Sequence, residues 1–229
     1  QPGETMVPPA RAALGALRWA GFRARYPEGT GGLCCGMPFA SKGFPQAARE
    51  AAGKAAEALW TASRSGRDPV VTDASPCAGT LNELALALLR ESGRALCVFD
   101  FPSFWARLVL PGCPAPPRRR GTAVLHPTCS LVKSGGLPDL VTVAEAHAER
   151  VVVPESAECC GFAGDRGFLV PELTESATRA EAAEVRELLN GDPVGLYSTC
   201  RTCEIGMTRA VGRPYLSVLH LVHQAITGA

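Results

Sequence analysis

The stretch Val151-Val152-Val153-Pro154-Glu155-Ser156-Ala157-Glu158-Cys159-Cys160-Gly161-Phe162-Ala163-Gly164-Asp165-Arg166-Gly167-Phe168 decides how the chain is read. It joins a β-branched strand to a Cys-Cys-Gly triplet, and that triplet also occurs earlier, at Cys34-Cys35-Gly36. Adjacent cysteines are poor disulfide partners for each other, because the bond needs Cα separations and dihedrals that a trans peptide strains. They are good ligands for a multi-iron cluster, where two neighbouring thiolates can each take a different iron. A duplicated pattern of soft thiolates points to metal and electrons.

Working outward, the second triplet sits inside a regular alternation. A strand Thr122-Ala123-Val124-Leu125 runs into His126-Pro127-Thr128-Cys129, and a helical stretch from about Pro138 to His147 leads to the strand Val151–Pro154. After Cys159-Cys160-Gly161 comes a helix from about Glu175 to Leu189, stopped by Asn190-Gly191. A strand Val194-Gly195-Leu196-Tyr197 then delivers Ser198-Thr199-Cys200-Arg201-Thr202-Cys203.

The earlier triplet has the same surroundings. A helix near Arg11–Trp19 and an expected strand Phe22–Pro27 precede it, and an Ala-rich helix from Pro45 to Ser63 follows. A strand Pro69-Val70-Val71-Thr72 then leads to Asp73-Ala74-Ser75-Pro76-Cys77. Forty-two residues separate Cys35 from Cys77, and 40 separate Cys160 from Cys200. Shared order, spacing and core triplet make this a duplication. Strands alternating with helices predict an α/β fold of two pseudo-repeated units, each a small, mostly parallel sheet flanked by helices. The cysteines follow strands, at the carboxyl ends where open α/β sheets place ligands.

The first repeat spans 1–113 and the second 121–229. The stretch 114–120, rich in proline and arginine, links them. An apolar strand Ala95–Phe101 and a segment Phe104–Leu110 complete the first repeat, and Tyr215–Ile226 has the spacing of a closing helix. Cys129 stands 30 residues before Cys159, and its counterpart falls near residue 2, where there is no cysteine. With the opening Gln1-Pro2-Gly3, this reads as the C-terminal piece of a longer polypeptide whose first repeat is cut.

Cys129, Cys159, Cys160, Cys200 and Cys203 give the second repeat five thiols. Four suffice for a four-iron cluster, and a fifth could serve an opened one. The competing reading is a structural zinc site, which needs four tetrahedral thiolates and has no redox role. Cys34, Cys35 and Cys77 give the first repeat three, with Thr80 where a closing cysteine would stand, so it is either a second metal site or a degenerate repeat that binds none. Gly36 and Gly161 allow tight turns beside the thiols, as Gly43 and Gly167 do further on. Lys42 and Arg166 are cations that could raise a cluster's potential or hold an anionic partner, or are simply solvated charges. His126 is read as a backbone-bonded strand-end histidine, ahead of a ligand or proton donor. His147, His220 and His223 are read as structural.

Composition narrows the field. The 229 residues carry a formal net charge of +1, which gives no reason to expect a nucleic-acid surface. No apolar run is long enough to span a bilayer, and no cleavable leader is visible. Ten cysteines without a leader fit a reducing cytoplasm and metal binding rather than a disulfide framework. No dinucleotide fingerprint, P-loop, serine nucleophile elbow or zinc-protease motif is present.

Both repeats resemble the CCG domain, the cysteine-rich repeat of heterodisulfide reductase B subunits and of iron–sulfur subunits of glycolate- and lactate-oxidising systems. Gly32-Leu33-Cys34-Cys35-Gly36-Met37-Pro38-Phe39-Ala40-Ser41-Lys42-Gly43, Leu125-His126-Pro127-Thr128-Cys129 and Cys159-Cys160-Gly161-Phe162-Ala163-Gly164-Asp165-Arg166-Gly167 are similar to the C-terminal region of long bacterial FAD- and iron–sulfur-containing D-lactate dehydrogenases. So are Thr202-Cys203-Glu204-Ile205-Gly206 and Gly212-Arg213-Pro214-Tyr215. The resemblance implies a [4Fe-4S]-type cluster held by Cys129, Cys159, Cys160, Cys200 and Cys203, with Cys34, Cys35 and Cys77 in the first repeat. It also implies upstream FAD and ferredoxin-like domains in the same polypeptide, and a quinone or cytochrome as electron acceptor. On this reading the chain belongs to a cytoplasmic oxidoreductase, one that could sit peripherally at the inner face of the membrane, yet does not oxidise a 2-hydroxyacid by itself. The alternatives are a separate subunit of a heterodisulfide-reductase or glycolate-oxidase type complex, and a zinc-stabilised docking module without a redox role.

Cys97 and Cys113 lie outside the pattern, the first read as a buried strand residue and the second as an exposed thiol. A Cys97→Ala, Cys113→Ala double variant is expected to keep its full metal content and visible spectrum. Loss of metal from that variant, measured by elemental analysis, would contradict the ligand pattern.

Overall fold

Short strands and helices alternate along the whole chain in this computed structural model, which describes residues 7–113, 117, 119–189 and 194–228. The first part runs α1 (Pro9–Trp19), α2 (Met37–Ala40), α3 (Pro45–Ala62), β1 (Val70–Thr72), α4 (Ser75–Thr80), α5 (Leu86–Arg90), β2 (Val98–Asp100) and α6 (Phe101–Phe104). The second runs β3 (Arg119–His126), α7 (Cys129–Lys133), α8 (Leu137–His147), β4 (Ala148–Val152), α9 (Arg166–Leu169), α10 (Pro171–Leu188), β5 (Val194–Ser198), α11 (Arg201–Val211), β6 (Tyr215–Ser217) and α12 (Val218–Thr227). Proline opens α1, α3 and α10, where the missing N–H costs nothing and its fixed φ suits the first turn. On α10 the buried residues Thr174, Thr178, Glu181, Ala182 and Val185 recur at helical spacing, so one face docks inward.

The second repeat is built on a four-stranded sheet in the order β4-β3-β5-β6, with every pairing parallel. Ala123, Val124 and Leu125 of central β3 are all buried, as expected of a parallel strand covered on both faces. The chain leaves β3 to one side to make β4, then crosses back through α10 to make β5 on the other side. The carboxyl ends of β3 and β5 therefore flank the point where the winding reverses, which is where an open α/β sheet leaves a crevice. Leu125 pairs with Tyr197 and His126 with Ser198, so the loops carrying Cys129 and Cys200 leave the sheet side by side. The first repeat keeps a smaller parallel pair, β1 with β2, in the register Val70↔Val98, Val71↔Phe99, Thr72↔Asp100. This is the α/β class, with small parallel sheets flanked by helices, that the sequence predicts.

Four expectations differ in detail. No strand forms over 22–27. Its counterpart β4 pairs only with β3, and among the described residues no strand precedes residue 22 to take that place. The strand expected over Ala95–Phe101 is confined to Val98–Asp100, the length that β1 can pair. The segment Tyr215–Ile226 is not one helix: Tyr215–Ser217 pair with Leu196–Ser198 as β6, and Ser217 then caps α12 by accepting from Leu219 N–H. β3 begins at Arg119, within the stretch read as a link, just past its last proline. Residues 114–116 and 118 of that link, the Asn190-Gly191 helix stop and the position near residue 2 lie outside the described residues.

By packing, the chain divides into Gln1–Ala24 with Trp105–Ala229, and Arg25–Phe104. This division cuts across the repeats at 1–113 and 121–229. The helix α1, which buries Ala12, Ala16 and Leu17, packs on α12, and Trp19 stacks on the buried Trp105 with ring centroids 6.4 Å apart. Gly15 lets α12 come close, since a Cβ there would meet His223 Nδ1 at 3.0 Å. His220 is anchored twice, to Val7 O at 2.8 Å and Ser217 O at 3.3 Å. In the Arg25–Phe104 unit, Ala55, Ala56, Leu81, Leu86, Leu89 and Val98 form a separate apolar core.

The two triplet glycines do the same work. Gly36 has φ +96° and a Cβ there would lie 2.5 Å from Ala48 O; Gly161 has φ +66° and a Cβ there would lie 2.7 Å from Leu173 O. Each lets the thiol-bearing turn press against the backbone of the following long helix. Gly36→Ala and Gly161→Ala are each expected to cost about 3 kcal/mol, combining left-handed strain with a backbone clash. Gly43→Ala, with φ +81° and open space around it, is expected to cost only about 1 kcal/mol. Denaturant midpoints of the three variants check this order.

Candidate metal centre

The carboxyl end of the four-stranded sheet gathers the second repeat's thiols. β3 ends at His126, and Thr128 then caps α7 by accepting from Leu131 N–H at 3.4 Å, which sets Cys129 at the first helical position. β5 ends at Ser198, whose hydroxyl donates to His126 O at 2.8 Å, and Thr199 Oγ1 lies 3.1 Å from Thr128 Oγ1. These buried bonds tie the two cysteine loops together. Cys200 precedes α11, and Cys203 lies in its first turn.

Cys160 Sγ lies 3.1 Å from Cys203 Sγ, and both residues are buried. Both sulfurs and a His126 ring nitrogen lie within 4.8 Å of one another, as a metal's ligand atoms do. Cys200 borders this group, and its thiol is 3.3 Å from Thr202 Oγ1. Cys159, on the exposed side, accepts from Gly161 N–H at 3.4 Å and sits beside Cys129. Phe162 seals the buried side by packing on Cys160 and Cys203. Its ring needs the small residues around it, since a Cβ on Gly167 would come within 2.7 Å of it and one on Gly206 within 3.2 Å. Gly167 thus makes room for Phe162 and does not share a left-handed turn with Gly43, as the sequence reading supposed.

Charge in this group cannot be spread evenly. The hydrogen bond from Cys203 draws the Cys160 thiol down to about 5 against the opposing effect of burial, with His126 assisting. The same neighbour draws Cys200 down to about 6. Cys203 is correspondingly pushed far up, because Cys160 and Cys200 both need its proton and burial adds to the effect. Cys129 is raised by burial first and by Cys159 second. A cation at the centre would free every thiol from this competition, and five soft donors suit iron or zinc rather than a hard ion.

Sequence reading underrated His126. Its Nδ1 bonds no backbone group but lies 2.8 and 2.9 Å from the two oxygens of Glu181 on α10, with both side chains buried. Burial alone would push the imidazole down, but the facing Cys160 sulfur and the Glu181 carboxylate lift it to about 9. The Tyr215 ring meets the histidine edge-on at 6.5 Å. Glu181 is 55 residues from His126 and belongs to no motif. Arg209 was also missed. Its guanidinium lies 5.9 Å from the Phe162 ring centroid and 5.3 Å from that of Phe168; Arg209, Lys42 and Arg166 are all exposed.

The first repeat assembles a smaller set. Cys35 Sγ lies 3.6 Å from Cys77 Sγ, and Cys34 accepts from Gly36 N–H at 3.4 Å, as Cys159 does from Gly161. The Cys77 hydrogen bond draws Cys35 down to about 6. Ser75 donates to Asp100 at 2.6 Å and fixes the loop before Cys77. Thr80, at the place of a closing cysteine, spends its hydroxyl on Pro76 O. Cys97 is exposed rather than buried, because only its backbone, through the bond from Val70 N–H, takes part in the pairing of β1. Cys113 is half-buried rather than exposed.

Thiol groups at the strand ends of two related α/β repeats define a protein built to hold soft metal. The chain belongs to the cysteine-rich domain family CCG, whose model matches residues 6–82 and 123–208, one stretch in each repeat. It is 25% identical over 222 residues to the uncharacterized protein YkgE of Escherichia coli, covering 93% of this chain and 90% of that protein. It is 24% identical over 221 residues to lactate utilization protein A of Geobacillus kaustophilus, covering 92% and 89%. It is also 27% identical over 197 residues to the B subunit of the fumarate reductase (CoM/CoB) of Methanothermobacter marburgensis, covering 85% of this chain but 37% of that relative.

Thiol ionisation gives a direct test on the metal-free chain. At about pH 7 Cys200 is largely thiolate, because its lowered value lies below that pH, whereas Cys129 remains a thiol. Iodoacetamide is therefore expected to label Cys200 faster than the more exposed Cys129, with the gap narrowing as the pH rises. Peptide mass spectrometry reads the two rates.

Proposed function

We propose that this chain is an iron–sulfur electron-transfer module of a flavin-dependent system that oxidises a D-2-hydroxyacid, D-lactate first among them, and that it passes electrons from reduced FAD to a quinone or cytochrome acceptor. The observation that carries this reading is the second repeat's thiol set. Five cysteines converge at one sheet end, one more than a tetrahedral ion takes, and their protons compete in a partly buried, Phe-sealed site. The group fits that site: the donors are soft, and the buried His126 Nε2 meets no protein nitrogen or oxygen beside the facing Cys160 sulfur. Cys129, Cys159, Cys160, Cys200 and Cys203 would hold it, with Cys34, Cys35 and Cys77 as the reduced set of the first repeat. A bound iron–sulfur centre supplies one-electron transfer. The protein's part is to fix the thiolates, keep water off the Phe162 side and set the local charge through Arg209 and the His126–Glu181 pair.

The substrate class draws support from the likeness to lactate utilization protein A. The likeness to one component of a fumarate reductase supports an oxidoreductase setting with partners. A second reading of the assembly, a separate iron–sulfur subunit of a heterodisulfide-reductase or glycolate-oxidase type complex, is favoured by coverage. Two of the relatives are matched over about nine-tenths of their own length without a fused flavin domain entering the match. Among the described residues no helix is long and apolar enough to cross a membrane. We place the module at the cytoplasmic side, in peripheral contact with the acceptor's membrane.

Protein purified without oxygen is expected to be brown and to contain iron with acid-labile sulfide. Cys160→Ser is expected to lose most of the iron, since ligand loss and loop folding are coupled, and Cys35→Ser to retain most of it. A colourless chain with stoichiometric zinc would instead establish the docking module. Iron unchanged in Cys160→Ser but lost in Cys35→Ser would move the principal site to the first repeat.

A further inference from the structure

We infer that His126 is a nitrogen ligand of the second repeat's metal centre, offered through Nε2, and that Glu181 is the positioning residue that makes it one. The inference rests on reading this repeat as metal-binding. His126 is wholly buried at the end of β3. A carboxylate only accepts hydrogen bonds, so the two Glu181 oxygens at 2.8 and 2.9 Å place the proton of a neutral imidazole on Nδ1. Nε2 then offers the lone pair once a metal displaces its proton; no protein nitrogen or oxygen partners it, and a ring nitrogen of His126 lies within 4.8 Å of the Cys160 and Cys203 sulfurs, with Cys160 facing the ring. His220, which faces no thiol, is by contrast satisfied at both nitrogens by two carbonyls.

Glu181 strengthens the case. A carboxylate buried on the inward face of α10, among Thr178, Ala182 and Val185, is costly unless it has a partner that needs it. Counting 20 residues from the triplet glycine reaches Glu181 in the second repeat and Ala56 in the first. The first repeat has an apolar residue, Ala56, at that position. Carboxylate to imidazole to metal is the arrangement by which proteins fix a ligating histidine's tautomer and ring plane, and losing the carboxylate typically weakens metal binding roughly ten- to hundredfold. Sulfur donors alone do not explain why a charged side chain is buried behind His126.

The test uses the full chain reconstituted with iron and sulfide, prepared with 14N- or 15N-histidine and brought to a paramagnetic state. Pulsed EPR is expected to show a strong histidine-nitrogen coupling that changes with the isotope in the unsubstituted protein and disappears in His126→Gln. Glu181→Gln is expected to retain the coupling and to lose iron to a chelator roughly tenfold faster or more. The isotope comparison needs no variant, so misfolding of His126→Gln would not blunt it. Iron and sulfide bound with no histidine coupling, or with only the weak coupling of a hydrogen-bonded imidazole, would overturn the ligand assignment and leave the iron–sulfur reading intact. A chain that takes up no metal would end both.

Discussion

Two sulfurs 3.1 Å apart in a buried pocket cannot both carry a negative charge without a cation between or beside them. Much of the second repeat is organised around that constraint. Cys160 ionises at the expense of Cys203, Cys200 draws on the same proton, and the His126–Glu181 pair adds a charge-bearing group behind them. A protein with no metal to hold would relieve this crowding by separating the thiols. Here the fold enforces it, through the Ser198 bond to His126 O and the Thr128–Thr199 contact that tie the two cysteine loops.

The parallel sheet makes the crowding possible. Because β3 and β5 are neighbours and the winding reverses between them, their following loops must leave the sheet side by side. Gly161, with its positive φ, then brings the Cys159-Cys160 turn down against α10, which no side chain at that position would permit. Phe162 closes the apolar side and is itself held by Arg209. The first repeat repeats this logic on a two-stranded sheet, with Gly36 against α3 and Cys35 beside Cys77, and it has Ala56 and Thr80 where the second has Glu181 and Cys203.

Local pattern made much of this legible. The β-branched run at 151–153, the apolar Val194–Tyr197 and the Ala-rich stretch from Pro45 carry their structure in their own composition, and β4, β5 and α3 form there. The doubled Cys-Cys-Gly and Cys200-x-x-Cys203 marked the thiols and their repeat. Segments whose state depends on a distant partner were misread. Phe22–Pro27 has a strand's composition but, among the described residues, no counterpart of β3 to pair with, and Tyr215–Ser217 has a helix's spacing but lies next to β5.

By itself, then, the sequence determined the α/β class, the duplication, the soft-donor chemistry and the eight patterned cysteines, because each is written in short-range order or in residue type. Tertiary structure decided which groups meet. His126 finds Glu181 across 55 residues, Phe162 finds its seat against Gly206, and α1 leaves the first repeat to pack on α12. These choices depend on how buried surfaces fit and how buried charges are compensated, and neither is visible until the chain has closed on itself.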